Sequence, residues 1–68
     1  MEDFIIINGQ KVSRFDLLGA YILEDPERLI FEPGDTIIIK TIDGWLGTKY
    51  DELDQHTEDL LDDLINPM

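Results

Sequence analysis

His56 is the only histidine of this 68-residue chain and Ser13 its only serine, so a nucleophile and its general base would rest on one pair with nothing to orient it. His56 has Glu52 and Asp59 at helical spacing. A nearby carboxylate favours the imidazolium form, which makes His56 a candidate weak pH switch; the plainer reading is a partly exposed helix histidine in an ion pair. There is no cysteine, which removes disulfides, thiolate metal ligation and thiol catalysis. Carboxylates are plentiful, but calcium needs six or more oxygens converging from a loop. Asp51, Glu52, Asp54, Asp59, Asp62 and Asp63 fall where a helix is expected, and a helix splays them outward. The glycines are scattered, and none leads a Lys-Ser or Lys-Thr at phosphate-loop spacing. No catalytic residue, metal or cofactor is expected.

Charge is the stronger signal. Of the net charge of −11, residues 1–49 hold nine acids and five bases, whereas residues 50–68 hold seven acids and no base. The seven are Asp51, Glu52, Asp54, Glu58, Asp59, Asp62 and Asp63. Affinity for phosphate comes largely from Lys and Arg, so direct binding of nucleic acid or an anionic membrane is not expected. A basic surface on a partner protein suits these acids, with steering that weakens in salt. The competing reading is a solvated face that keeps the chain soluble.

Short elements must position these groups. Phe4–Ile7 reads as a strand, and Asn8-Gly9 suits a type I′ turn because both central residues need positive φ. Gln10–Val12 is the returning strand. Ser13 to Leu23 stays open between two readings. Ser13-Arg14-Phe15-Asp16 has the form of a capping box with Leu17, Leu18, Tyr21 and Ile22 at helical spacing behind it, while Gly19 weakens a helix and Ala20–Leu23 suits extended chain. A short helix or turn near Phe15–Leu18 followed by extended chain is the expectation. Arg28–Phe31 reads as a strand ending at the turn Glu32-Pro33-Gly34-Asp35, Thr36–Ile42 as the next, and Trp45–Thr48 as the last, after Asp43-Gly44. Tyr50, Leu53, Thr57, Leu60, Leu61, Leu64 and Ile65 recur at helical spacing. They predict an amphipathic helix that starts around Thr48–Asp51, where Thr48 and Asp51 stand in capping-box relation, and closes at Asn66-Pro67. The acids Asp59, Asp62 and Asp63 sit late in that helix, where its dipole disfavours negative charge, and they repel one another at helical spacing. Packing of the leucine stripe, or a basic partner, must offset this. The longest apolar runs, Phe4–Ile7 and Ile37–Ile39, are too short to span a bilayer. Met1-Glu2-Asp3 is acidic where a secretory leader would be basic, so a cytoplasmic protein is expected.

The middle of the chain resembles the Src-homology-3 family, a small β-barrel that binds proline-rich peptides. The residues that carry this are Ala20-Tyr21, then Asp25 through Ile39 with Leu29, Phe31, Gly34-Asp35, Ile37 and Ile39 at the family's core spacing, and Asp43-Gly44-Trp45-Leu46-Gly47. The resemblance covers about residues 20–47. It implies that Tyr21 and Trp45 line a peptide groove, that Leu46 stands at the buried second tryptophan of the family, and that Asp25 and Glu27 pair with a basic residue of the ligand. The family's last two strands and its Pro-x-x-Tyr groove residues have no counterpart after Tyr50. Ile5-Ile6-Ile7-Asn8-Gly9, Asp16-Leu17-Leu18 and Pro33–Ile39 also look like the hairpin, helix and late strand of the β-grasp family. The sulfur-carrier function of that family needs a Gly-Gly tail, and Asn66-Pro67-Met68 does not supply one.

The fold expected is mainly β with a C-terminal helix, a small Src-homology-3-like barrel of about five short strands, with an α+β β-grasp as the alternative. Residues 1–68 make a single domain, in which the acidic amphipathic helix of residues 50–66 packs on a barrel-like part of residues 1–49. The function expected is non-catalytic binding, in which Asp51, Glu52, Asp54, Glu58, Asp59, Asp62 and Asp63 engage a basic surface of a partner protein. Small inhibitors of the phage or mobile-element kind, which mimic nucleic-acid charge, are similar in size and charge. Two alternatives are a peptide-binding domain using Tyr21, Asp25, Glu27 and Trp45, and a small assembly subunit. Trp45 is read either as a core anchor or as an interface hot spot.

Overall fold

Asn8 and Gly9 both take positive φ, 53° and 78°, in a computed structural model that describes residues 3–66. They close a two-residue hairpin between strands β1 (Phe4–Ile7) and β2 (Gln10–Ser13), with Ile5 opposite Val12 and Ile7 opposite Gln10. The expected turn is therefore formed as its two residue types require.

Beyond β2 the chain makes a single 3-10 turn over Arg14–Asp16, with the Ser13 hydroxyl accepting the Phe15 N–H at 3.2 Å. It enters strand β3 (Leu17–Ile22) directly. The helical spacing of Leu17, Leu18, Tyr21 and Ile22 is not used. In the strand, Ala20 and Ile22 stand opposite Ile39 and Ile37, so β3 pairs backbone groups that β4 would otherwise leave open. A register shift between Leu17 and Gly19 leaves Leu18 exposed. No α-helix forms at Asp16-Leu17-Leu18, where the 3-10 turn ends and β3 begins, so the helix of the β-grasp alternative is absent there.

Strands β4 (Thr36–Thr41) and β5 (Gly44–Lys49) complete an antiparallel sheet in the order β3-β4-β5. Their connection is Ile42-Asp43 rather than Asp43-Gly44. Gly44 opens β5 at φ 133°, and the Thr41 hydroxyl accepts the Asp43 N–H and donates to the Gly44 carbonyl. The strand expected at Arg28–Phe31 is absent; that stretch is irregular. Its backbone is held locally instead, by Arg28 N–H to the Asp25 carbonyl at 3.0 Å and by Arg28 Nε donating to the Ile30 carbonyl at 3.1 Å. Leu29 and Ile30 face solvent and only Phe31 packs on the core, so the run lacks the alternating buried side that would order it as a strand.

The helix also begins later than expected. Thr48 is a buried member of β5 opposite Ile37 and cannot cap. A 3-10 turn spans Tyr50–Glu52, and helix α1 runs Gln55–Ile65 with Asp54 as its cap, the carboxylate accepting the Thr57 N–H at 2.8 Å. Ile5, Ile7 and Val12 from the hairpin, Ile22, Ile37 and Ile39 from the sheet, and Leu61 from α1 form one core. The fold is thus mainly β, with five short strands in two antiparallel sheets and one C-terminal helix. Among the described residues the sheets do not close into a barrel.

Candidate functional site

The seven C-terminal acids fall into three structural groups. At about 100° per residue, Asp59, Asp62 and Asp63 share the side of α1 opposite Thr57 and Leu61, which are 1% and 0% exposed. Asp59 accepts a hydrogen bond from Gln55 at 2.9 Å, while the side chains of Asp62 and Asp63 make no hydrogen bond or ion pair among the described residues. Glu58 lies on the flank against Tyr50. Burial, and then the hydrogen bond to the Glu58 carboxylate, push the Tyr50 phenol above its ordinary pKa. Asp51, Glu52 and Asp54 precede the helix. Asp51 accepts the Gly34 N–H at 3.2 Å, and Asp54 is the cap, its carboxyl held below the usual carboxylate range by the Thr57 N–H.

Glu52 and Asp54 instead line a cleft of about 310 Å³, with Ile6, Asn8 and Gly9 of the hairpin and Thr48 and Leu53 across from them. The Asn8 amide bridges to β5 there, donating to the Gly47 carbonyl at 2.7 Å. The acids are therefore not one continuous helix face, and three exposed aspartates form its outward part.

Tyr21 and Trp45 come together on the open side of the three-stranded sheet, their rings 6.0 Å apart in an edge-on arrangement. Trp45 is 60% exposed and belongs to the surface, which leaves the core to aliphatic side chains. Lys40, opposite Trp45 in the ladder, holds its ammonium 5.6 Å from the indole ring. Leu46, on the other side of the strand, packs on the core. Asp25 and Glu27 are exposed in the loop that leaves β3. That loop adjoins the Thr36–Lys49 end of the sheet, through Leu23 N–H to the Thr36 carbonyl, whereas Trp45 pairs at the Lys40 end. Four residues of strand, about 13 Å, separate Trp45 from Lys49, so the acidic loop and the tryptophan are not brought together.

In comparisons with protein families, curated proteins and solved structures, this chain matches none.

His56 meets β1 as well as the charge of Asp54, the cap of its own helix. Its Nε2 stands 3.0 Å from the Phe4 carbonyl and must carry the proton to bond there, tying the first turn of α1 to the hairpin. Among the described residues no three His, Cys, Asp or Glu side chains are grouped to hold a metal ion, and no helix is long and apolar enough to cross a membrane. Sequence reasoning missed the cleft and the Lys40–Trp45 contact. Period-two alternation through β4 and β5 carried a signal for the second, since it sends Ile38, Lys40, Trp45 and Gly47 to one side.

Proposed function

We propose that this chain is a non-catalytic binding protein whose acidic helix engages a basic surface of a partner protein, as inhibitors that mimic nucleic-acid charge do. The observation that carries the reading is the outward row Asp59, Asp62 and Asp63 on a helix with no Lys or Arg, anchored from behind by the fully buried Leu61. Late carboxylates oppose the helix dipole and repel one another. A fold that holds them in place presents a rigid, preorganised anionic surface rather than a loose tail. Glu52 and Glu58 extend the charge toward the cleft and Tyr50.

Affinity capture by the full chain at low and high salt tests this. Basic, nucleic-acid-binding partners should be retained at low salt, released at high salt, and lost to the triple variant Asp59→Lys, Asp62→Lys, Asp63→Lys. Unchanged capture by that variant would overturn the proposal.

A second reading is favoured by one specific observation, the meeting of Tyr21 and Trp45 on an open sheet face. These are the two residues that an Src-homology-3-like arrangement assigns to a peptide groove, and Leu46, partly buried, packs on the core where that family has its second tryptophan. On this reading the chain binds an extended peptide. Trp45→Ala should abolish peptide binding while the fold persists; simple unfolding of the variant would argue for a structural tryptophan.

A further inference from the structure

We infer that the open face of the β3-β4-β5 sheet docks an acidic peptide segment of a partner protein, with apolar side chains on Tyr21, Ile38 and Trp45 and a carboxylate toward Lys40. The inference rests on the peptide-binding reading above and decides the charge of the ligand, which the family resemblance alone would make basic.

Register is the first argument. Tyr21 stands opposite Ile38, Ile38 opposite Gly47, and Lys40 opposite Trp45, so these side chains share one side of the sheet. Their neighbours in the strands, Ile22, Ile37 and Ile39, fill the core on the other side together with Leu61 of α1. The acidic helix therefore lies behind the sheet and does not screen this face.

Charge complementarity is the second. The chain has sixteen acids and five bases, yet β4 and β5 contain no acid, and alternation sends both of their lysines, Lys40 and Lys49, to this side. Lys40 is fixed over the indole of Trp45. Lys49 lies at the far end, donating to the Thr36 hydroxyl at 2.8 Å, and its charge is shared with Glu24, whose carboxylate accepts the Thr36 N–H. The uncompensated cation is thus Lys40, beside the exposed tryptophan.

Shape is the third. Gly47 leaves the sheet bare above Ile38: a Cβ there would meet only Ile38 Cδ1, at 3.5 Å. The result is a low floor beside the edge-on Tyr21–Trp45 pair, which suits apolar side chains of an extended or helical segment. A single strand of nucleic acid would also stack on aromatics between lysines. Nucleic acid carries a phosphate at every nucleotide and needs several Lys or Arg to neutralise them. A peptide needs only a carboxylate placed toward Lys40, so this face favours the peptide.

Trp45 is the only tryptophan, so its fluorescence in the full chain reports on this face alone. Four probes are titrated: the synthetic peptide Glu-Leu-Glu-Phe-Glu-Leu-Glu, its counterpart with every Glu changed to Lys, a proline-rich peptide, and oligothymidylate. The acidic peptide should shift the emission saturably and more weakly as salt rises. Lys40→Glu and Gly47→Val should each lower its affinity about tenfold with an unchanged circular dichroism spectrum. A Cβ at residue 47 makes only an ordinary contact, with Ile38 Cδ1, and valine suits an exposed strand position, so the fold should be retained. Lys11→Glu, the same charge change on the exposed side of the hairpin, should not weaken binding, which separates this face from the overall charge of the chain. Equal or tighter binding of the proline-rich or Lys peptide would overturn the inference while leaving the peptide-binding reading intact. A response to oligothymidylate alone, or to no probe at about 1 mM, would overturn both.

Discussion

Asp35 accepts the Glu32 N–H at 2.7 Å and pairs with the Arg28 guanidinium, with its own side chain only 8% exposed. The hydrogen bond from Arg28, followed by that from Glu32, holds its carboxyl below the usual carboxylate range against the opposing effect of burial. A carboxyl whose pKa is lower folded than unfolded, where it is about 3.9, contributes stability that is complete above that value. The contribution disappears as pH falls through the folded-state pKa. Removing the guanidinium lets burial raise the Asp35 pKa, so Arg28→Ala should lose stability at a higher pH than the wild type. Acid unfolding followed by circular dichroism should show the midpoint moving upward; an unmoved midpoint would mean that Arg28 does not hold the loop. Nothing local in Glu32-Pro33-Gly34-Asp35 revealed this pair, because its partner arrives from the far side of an irregular loop. The same limit applied to Trp45. An Asp-Gly-Trp run does not say which side of the sheet meets the core, so exposure was settled only by the packing of Leu46 and Thr48 opposite it.

Hairpin and helix behave differently as elements. The φ of 78° at Gly9 lies in the left-handed region that side chains resist. Gly9→Ala should therefore cost roughly 1–2 kcal/mol in chemical denaturation. That turn was legible in the sequence because its requirement is local, two residues with positive φ between two β-branched runs. The helix boundary was not. Thr48 and Asp54 are both competent caps, and the choice fell to Asp54 because Thr48 is held in the ladder opposite Ile37, with Tyr50 N–H bound to the Asp35 carbonyl just after it. The late acids of α1 give an expectation of unusual sign. Asp63→Lys removes a like-charge neighbour of Asp59 and places a cation at the C-terminal end, so it should stabilise the fold by roughly 0.3–1 kcal/mol. If the acidic face serves a basic partner, the same change weakens capture of that partner. Stabilisation together with undiminished capture would separate the helix from function.

At the scale of the whole molecule, one core, of seven aliphatic side chains among the described residues, joins hairpin, sheet and helix. A chain of 68 residues has a total stability on the order of 3–10 kcal/mol. Truncating Leu61, which is fully buried where the helix meets the sheet, should cost about 2–5 kcal/mol. That is enough to unfold much of the population, and the hairpin and sheet should melt with the helix in a single transition. A helix that melted alone would show that α1 is an appendage. The net charge of −11 adds self-repulsion that salt screens, so the midpoint of thermal unfolding should rise between about 10 and 150 mM salt.

The sequence by itself determined the alternation that makes strands, the Asn8-Gly9 turn, the amphipathic helix and the gathering of negative charge at the C-terminal end. Each follows from residues within a few positions of one another. Only the tertiary structure decided where α1 begins, that Ser13–Leu23 is a turn and a strand, that Arg28 pins Asp35, and that Tyr21 meets Trp45 under Lys40 on an open face. These depend on which backbone groups still need partners and which side of each strand is covered. Both are settled by segments distant in the chain.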